Sequence, residues 1–77
     1  MNKNRRAELK DIVEQIQDVV GALTDVIEEE QEAFDNLPEG LQCSEKGEAL
    51  EENVSEMESV VSSLESAIDD LNNIIEK

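Results

Sequence analysis

Apolar residues recur every three to four positions along nearly the whole chain, and the recurrence stops only once, near the middle. With Leu9 placed at position d of a heptad abcdefg, positions a, d and g are apolar through the first half except at Glu30. The second half repeats the pattern from residue 50 onward, with Asn53 as its one polar exception. Such spacing over successive heptads is typical of amphipathic helices and not of a flexible acidic chain. The sequence therefore predicts two long helices, at about residues 5–36 and 44–76.

The break between the helices lies in the segment DNLPEGLQCS. Pro38 disfavours helical geometry at the residue before it and cannot donate a backbone hydrogen bond, so we expect a loop at about residues 37–43. Ser44 is a candidate N-cap for the second helix, with Glu45 and Glu48 favourably placed in its first turn. Two long helices joined by a short loop form an antiparallel hairpin. We therefore expect residues 1–77 to form one all-α domain, a coiled-coil-like two-helix hairpin.

The same pattern predicts which residues face one another, because facing positions of such a hairpin have numbers that sum to about 80. The expected pairs are Leu9 with Leu71, Ile16 with Leu64, Leu23 with Met57, Leu37 with Cys43, and Ala33 with Gly47. Two small residues would then meet beside the loop. Cys43 would lie on the buried stripe, where we expect it to act as a small hydrophobic residue and not as a reactive thiol.

The apolar stripe is wider than two helices can cover. A two-stranded seam uses positions a and d alone, whereas positions a, d and g together form the face of a helix in a bundle. A chain of 77 residues is also short for a stable hydrophobic core. We therefore expect self-association, with a homodimer of hairpins forming a four-helix bundle and higher oligomers as alternatives.

The chain carries 21 acidic and 6 basic residues, a net charge of −15. Such a surface would repel phosphates, so we expect no direct binding to nucleic acid or to an anionic membrane. No apolar run approaches the roughly 18 residues of a membrane span, and the N-terminus lacks an apolar signal segment, so we expect a cytoplasmic protein of a bacterial host cell. Eight acids gather on both sides of the loop: Glu28, Glu29, Glu32, Asp35, Glu45, Glu48, Glu51 and Glu52.

The composition argues against catalysis. There is no His and only one Cys, which excludes zinc sites built from these residues and His-dependent acid–base chemistry. Glu28, Glu29 and Glu32 form an E-E-x-x-E pattern that resembles the Mg²⁺ ligands of the MazG-like nucleotide pyrophosphohydrolases. That family also requires E-x-x-D on the next helix, and this chain offers only E-x-x-E, at residues 45–48 or 48–51. We therefore predict no enzyme activity, no metal site and no cofactor.

A calcium-binding EF-hand loop is also rejected. A loop beginning at Asp35 would place Gly40 correctly at its sixth position, but Lys46 would occupy the twelfth, where a bidentate Glu must bind the ion.

Glu30 interrupts the d positions and admits three interpretations. In the first, which we favour, the apolar stripe ends near the loop and Glu30 is solvated. In the second, Glu30 pairs with Lys46. In the third, Glu30 is a polar residue in the seam that sets the register of the helices.

A small anion is a further candidate ligand. The N-terminus of the second helix has free N–H groups beside Ser44 and Lys46, and a neighbouring subunit would add Arg5 and Arg6. On this alternative, the protein is an oligomeric sponge that sequesters a small nucleotide signal.

The segment EEEQEAFDNLPEGLQCSEKGEAL, residues 28–50, with the preceding RRAELKDIVEQI, resembles short acidic helical proteins encoded by bacteriophages and prophages of Gram-positive bacteria. This resemblance implies a phage origin, for which anti-defence functions are common. The charge and size are distantly similar to those of phage DNA-mimic inhibitors. We therefore predict a non-enzymatic inhibitor that mimics DNA and uses the eight loop-proximal acids to occupy a basic surface of a host defence or nucleic-acid-binding protein. A structural coiled-coil adaptor is the remaining alternative.

Overall fold

The computed structural model describes all 77 residues and contains three helices and no strands. Helix α1 spans Lys3–Asp35, the short helix α2 spans Glu39–Gln42, and helix α3 spans Glu45–Glu76. Both long helices match the prediction to within two residues at each end. The segment predicted as a loop differs, because it contains α2.

Each long helix begins at a polar side chain that caps its first turn. Asn2 Oδ1 accepts a hydrogen bond from the backbone N–H of Arg5 at 2.8 Å. Ser44 Oγ accepts one from the N–H of Gly47 at 3.4 Å, which confirms Ser44 as the predicted N-cap of α3. These bonds satisfy N–H groups that have no partner within the helix.

The turn between the long helices is organised by Pro38, which lies just before α2 and acts as its N-cap residue. The Pro38 carbonyl accepts a hydrogen bond from the Leu41 N–H at 2.8 Å. The Gln42 side chain reaches back and donates to the Leu37 carbonyl at 3.2 Å. Pro38 therefore both ends α1 and starts a new helical turn.

Helix α2 packs onto the start of α3 at Gly47, which is buried. A Cβ atom at Gly47 would lie 2.1 Å from the Gln42 carbonyl oxygen, closer than any real contact. The predicted meeting of Ala33 with Gly47 is therefore wrong: the backbone of Gln42 covers the glycine, and Ala33 is exposed. The predicted burial of Cys43 is also wrong, since its thiol is free and exposed. In both cases the reason is α2, which takes the chain out of the heptad register between the long helices.

Helices α1 and α3 pack side by side as an antiparallel hairpin that measures 59 × 15 × 12 Å. Residues at positions a and d form the single seam between them. The best-buried side chains are Val13, Val54 and Ile68, all at position a, and no side chain is completely buried. The hairpin prediction is confirmed, and the core is only one layer thick. Neither long helix has an apolar stretch that could cross a membrane.

The g positions of α1 and α3 lie on the same side of the hairpin, because both contribute to one groove there. Their large apolar side chains are exposed, and we call them the apolar edge: Ile12, Val19, Val26, Val60 and Ile74. The e positions line the opposite, polar edge, where Gln17 of α1 and Glu65 of α3 border a second groove. The stripe is thus wider than the contact within one hairpin, as the sequence predicted.

Candidate functional site

The eight predicted acids lie at one end of the hairpin, around the turn. Those of α1 occupy its last turns and those of α3 its first turns, and the antiparallel packing places the two sets side by side. Every one of the eight side chains is exposed. We call this set the acidic end: Glu28, Glu29, Glu32, Asp35, Glu45, Glu48, Glu51 and Glu52.

The two helices contribute to the acidic end under different electrostatic conditions. Glu45 and Glu48 lie in the first turn of α3, where the helix dipole favours negative charge. The last turn of α1 has no basic residue and ends in Asp35, where the dipole disfavours negative charge. The Gln31 amide donates a hydrogen bond to Asp35 Oδ1 at 3.0 Å and partly offsets this cost. The helix dipoles therefore favour the acids at the start of α3 and disfavour Asp35 at the end of α1.

The carboxylates are spread over the surface and do not converge. The structure contains no group of three or more Asp, Glu, Cys or His side chains that could hold a metal ion. Glu28, Glu29 and Glu32 point into solvent as separate charges. The arrangement offers an extended negative surface and not a coordination sphere.

Glu30 and Asn53 are the two polar interruptions of the apolar pattern, and they bind each other. The Asn53 side-chain amide donates a hydrogen bond to Glu30 Oε2 at 2.8 Å across the hairpin. Glu30 is half-buried, so the favoured interpretation of a solvated side chain is wrong. Its hydrogen-bond partner is Asn53 and not Lys46. The bond agrees with the predicted register to within one helical turn. The hydrogen bond between Glu30 and Asn53 could have been predicted from the sequence, because the two polar interruptions lie one turn apart on facing helices.

An open groove of about 370 Å³ lies on the apolar edge beside this pair. Val26, Met57 and Val60 supply its apolar walls, while Glu30 and Asn53 lie at its polar border. A smaller groove of about 210 Å³ on the polar edge is lined by three polar residues, Gln17, Glu65 and Asp69, and by the apolar Val20 and Ile68. The two grooves therefore differ in character as the two edges do.

The four candidate anion-binding residues are divided between the two ends of the hairpin. Arg5 and Arg6 lie in the first turn of α1, whereas Ser44 and Lys46 lie beside the turn, about 45 Å away along the helix axis. The Ser44 hydroxyl is already engaged, because it donates to the Leu41 carbonyl and accepts from the Gly47 N–H. One chain therefore does not assemble these residues into a site.

Comparison with protein families, with curated proteins and with solved structures finds no match to this chain.

Proposed function

We propose that this protein is a non-enzymatic, self-associating interaction protein whose acidic end mimics DNA and occupies a basic surface of a host defence or nucleic-acid-binding protein. The observation that carries the proposal is the placement of eight exposed carboxylates at one end of the hairpin. The packing of α1 against α3 sets the spacing of the backbone that carries these charges, so that a partner can recognise their arrangement as well as their sign.

The linear charge density of this end is close to that of DNA. Residues 28–35 and 45–52 lie alongside one another over about 12 Å of the hairpin axis, at 1.5 Å per residue. They contain nine acids, including Glu30, against Lys46 alone. The resulting net charge of about −8 corresponds to about one negative charge per 1.5 Å, and double-stranded DNA carries one per about 1.7 Å. A cleft that accepts a phosphate backbone would therefore experience a similar field.

Self-association is the second part of the proposal. A hairpin with a core one layer thick leaves the apolar edge in water, and a homodimer that forms a four-helix bundle would cover it. A dimer would double the net charge of −15 per chain. Charge of that size opposes compact association, so a functional use of the acids explains why the chain tolerates it.

The test compares two variants of equal net charge. In the first, the eight carboxylates of the acidic end are changed to the corresponding amides. In the second, the same change is made at eight exposed acids outside it: Glu8, Asp11, Glu14, Asp18, Glu65, Asp69, Asp70 and Glu76. Immobilised wild-type protein is expected to capture DNA-binding proteins from a bacterial lysate and to release them when duplex DNA is added. The second variant should retain this capture and the first should lose it.

Equal capture by both variants, or capture that duplex DNA does not reverse, would contradict the proposal. Calorimetry with cyclic and linear nucleotides tests the sponge alternative, since only a nucleotide-binding protein should give heat on titration.

A further inference from the structure

The chain exposes more surface than a compact protein of its size. Its accessible surface is 5657 Å² for a mass of 8.6 kDa, whereas a compact monomer of that mass exposes about 4,700 Å². The difference, about 1,000 Å², is similar to the roughly 800 Å² that each partner buries in a standard protein interface. An interface on one face would therefore bring the exposed surface per chain to the usual value.

The apolar edge is the face that such an interface would cover. Val19 is 54% exposed and Val60 is 50% exposed, although both are large apolar residues. The polar edge offers no comparable surface, because it is lined by e positions such as Gln17 and Glu65. The partner of this face must itself be apolar along a strip about as long as the edge.

A second copy of the chain meets this requirement, because the apolar edge of one hairpin matches the apolar edge of another hairpin that runs in the opposite direction. On α1 the g positions run from Arg5 to Ala33 with Val19 at the centre, and on α3 they run from Lys46 to Ile74 with Val60 at the centre. Since facing residues sum to about 80, Val19 and Val60 lie at nearly the same level of the hairpin. A twofold axis beside them would place Val19 on Val19 and Val60 on Val60. It would also place the branched side chain of Ile12 over Val26, at the apolar groove.

The charges determine the direction of the second copy. At the open end, residues 3–10 and 70–77 carry a side-chain net charge of +2, because five basic residues there outnumber three acids, whereas the turn end holds the acidic end. The basic residues are Lys3, Arg5, Arg6, Lys10 and Lys77, and the acids are Glu8, Asp70 and Glu76. Parallel hairpins would place two acidic ends side by side, with like charges within a Debye length of one another. Reversed hairpins place the basic residues of each copy beside the acidic end of the other. Opposite charges then face one another at both ends of the bundle.

We propose that two copies associate through the apolar edge with their hairpins reversed, about a twofold axis that passes beside Val19 and Val60. This inference rests on the self-association proposed above and adds the face and the direction. Neighbouring helices are then antiparallel throughout, α1 against α1 and α3 against α3. The two acidic ends lie at opposite ends of the dimer, each beside the basic residues of the other copy, so one dimer presents two separate acidic surfaces.

Disulfide cross-linking tests the face and the direction together. The native Cys43 is exposed, and it is first changed to Ser. Val19→Cys and Val60→Cys are then made separately in this background, with Thr24→Cys on the polar edge as the matched control. A disulfide requires Cα atoms within about 7 Å, so it reports direct facing. The reversed dimer predicts that the Val19→Cys variant and the Val60→Cys variant each form a disulfide-linked dimer on their own, while the Thr24→Cys variant stays uncrosslinked.

A mixture of the Val19→Cys and Val60→Cys variants separates the two directions. Parallel hairpins would form a disulfide only between the two different variants, because α1 of one copy would then lie on α3 of the other. This result would overturn the inference but leave self-association standing. Light scattering supplies the mass of the uncrosslinked protein. A value of 8.6 kDa, that of a single chain, would overturn both self-association and its direction. It would leave the capture of DNA-binding proteins by the acidic end as a separate result.

Discussion

At the scale of single residues, the hairpin depends on polar side chains that satisfy one another at the margin of an apolar seam. Glu30 would be costly at a d position if its carboxylate lost water without gaining a partner. The Asn53 amide provides that partner at 2.8 Å. A polar pair of this kind favours one register, because sliding one helix by a heptad would separate the two side chains.

Substitution of Asn53 by Ala tests the contribution of this pair. We expect a loss of about 1 kcal/mol in the free energy of unfolding, since the half-buried Glu30 carboxylate would lose its hydrogen bond. The control is Asn73→Ala, at an exposed position on α3, which should change stability by less than about 0.5 kcal/mol. Urea unfolding followed by circular dichroism measures both. A double-mutant cycle with Glu30→Ala should give a coupling energy of about 1 kcal/mol, and additive effects would show that the bond contributes nothing.

At the scale of elements, the sequence predicted what depends on periodicity and missed what depends on a local turn. The 3-to-4 spacing of apolar residues determined α1 and α3, because burial of one face stabilises a long helix regardless of its other contacts. Helix α2 has only 4 residues and therefore no periodic signal. This helix covers Gly47 and takes Cys43 out of the buried stripe. Both effects depend on backbone packing, which residue types alone do not reveal. The acidic end was predictable, since charge and chain direction suffice to locate it, but the Glu30–Asn53 pair required the register between helices.

The packing of α2 on α3 predicts opposite effects for two glycine substitutions. Gly21→Ala should stabilise the protein by roughly 0.5–1 kcal/mol, because the site is helical and nothing lies within 4 Å of an added Cβ. Gly47→Ala should destabilise it by about 1–3 kcal/mol, because the added Cβ would meet the backbone of Gln42 at 2.1 Å. Thermal unfolding of the two variants measures the difference. A gain in stability at Gly47 would show that α2 does not pack there in solution.

At the scale of the whole molecule, the two interactions proposed for this chain should respond to salt in opposite directions. Under the proposed function, the acidic end attracts a basic partner, and screening weakens that attraction. Association of two copies brings together chains of net charge −15, and screening weakens this repulsion while the apolar contact remains. The charge that promotes one interaction therefore opposes the other.

An increase in ionic strength from about 0.01 M to 1 M shortens the Debye length from about 30 Å to about 3 Å. Over this range we expect the dimer to become more stable, with a lower dissociation constant by sedimentation equilibrium. The complexes captured by the acidic end should dissociate over the same range. Dimerisation that weakens with salt would show that the ion pairs between the two ends outweigh the net repulsion.

The antiparallel path of the chain also determines the order in which the hairpin folds. Contacts near the turn join residues about 10 positions apart, whereas Leu9 and Leu71 at the open end close a loop of about 60, which costs roughly 1.6 kcal/mol more in chain entropy. We therefore expect the contacts between α1 and α3 to form first near the turn and then progressively towards the termini. The acidic end lies in the part of the hairpin that forms first. The carboxylates that repel one another are therefore brought together where loop closure costs the least chain entropy. If the same charges lay at the open end, they would have to be brought together where loop closure costs the most chain entropy.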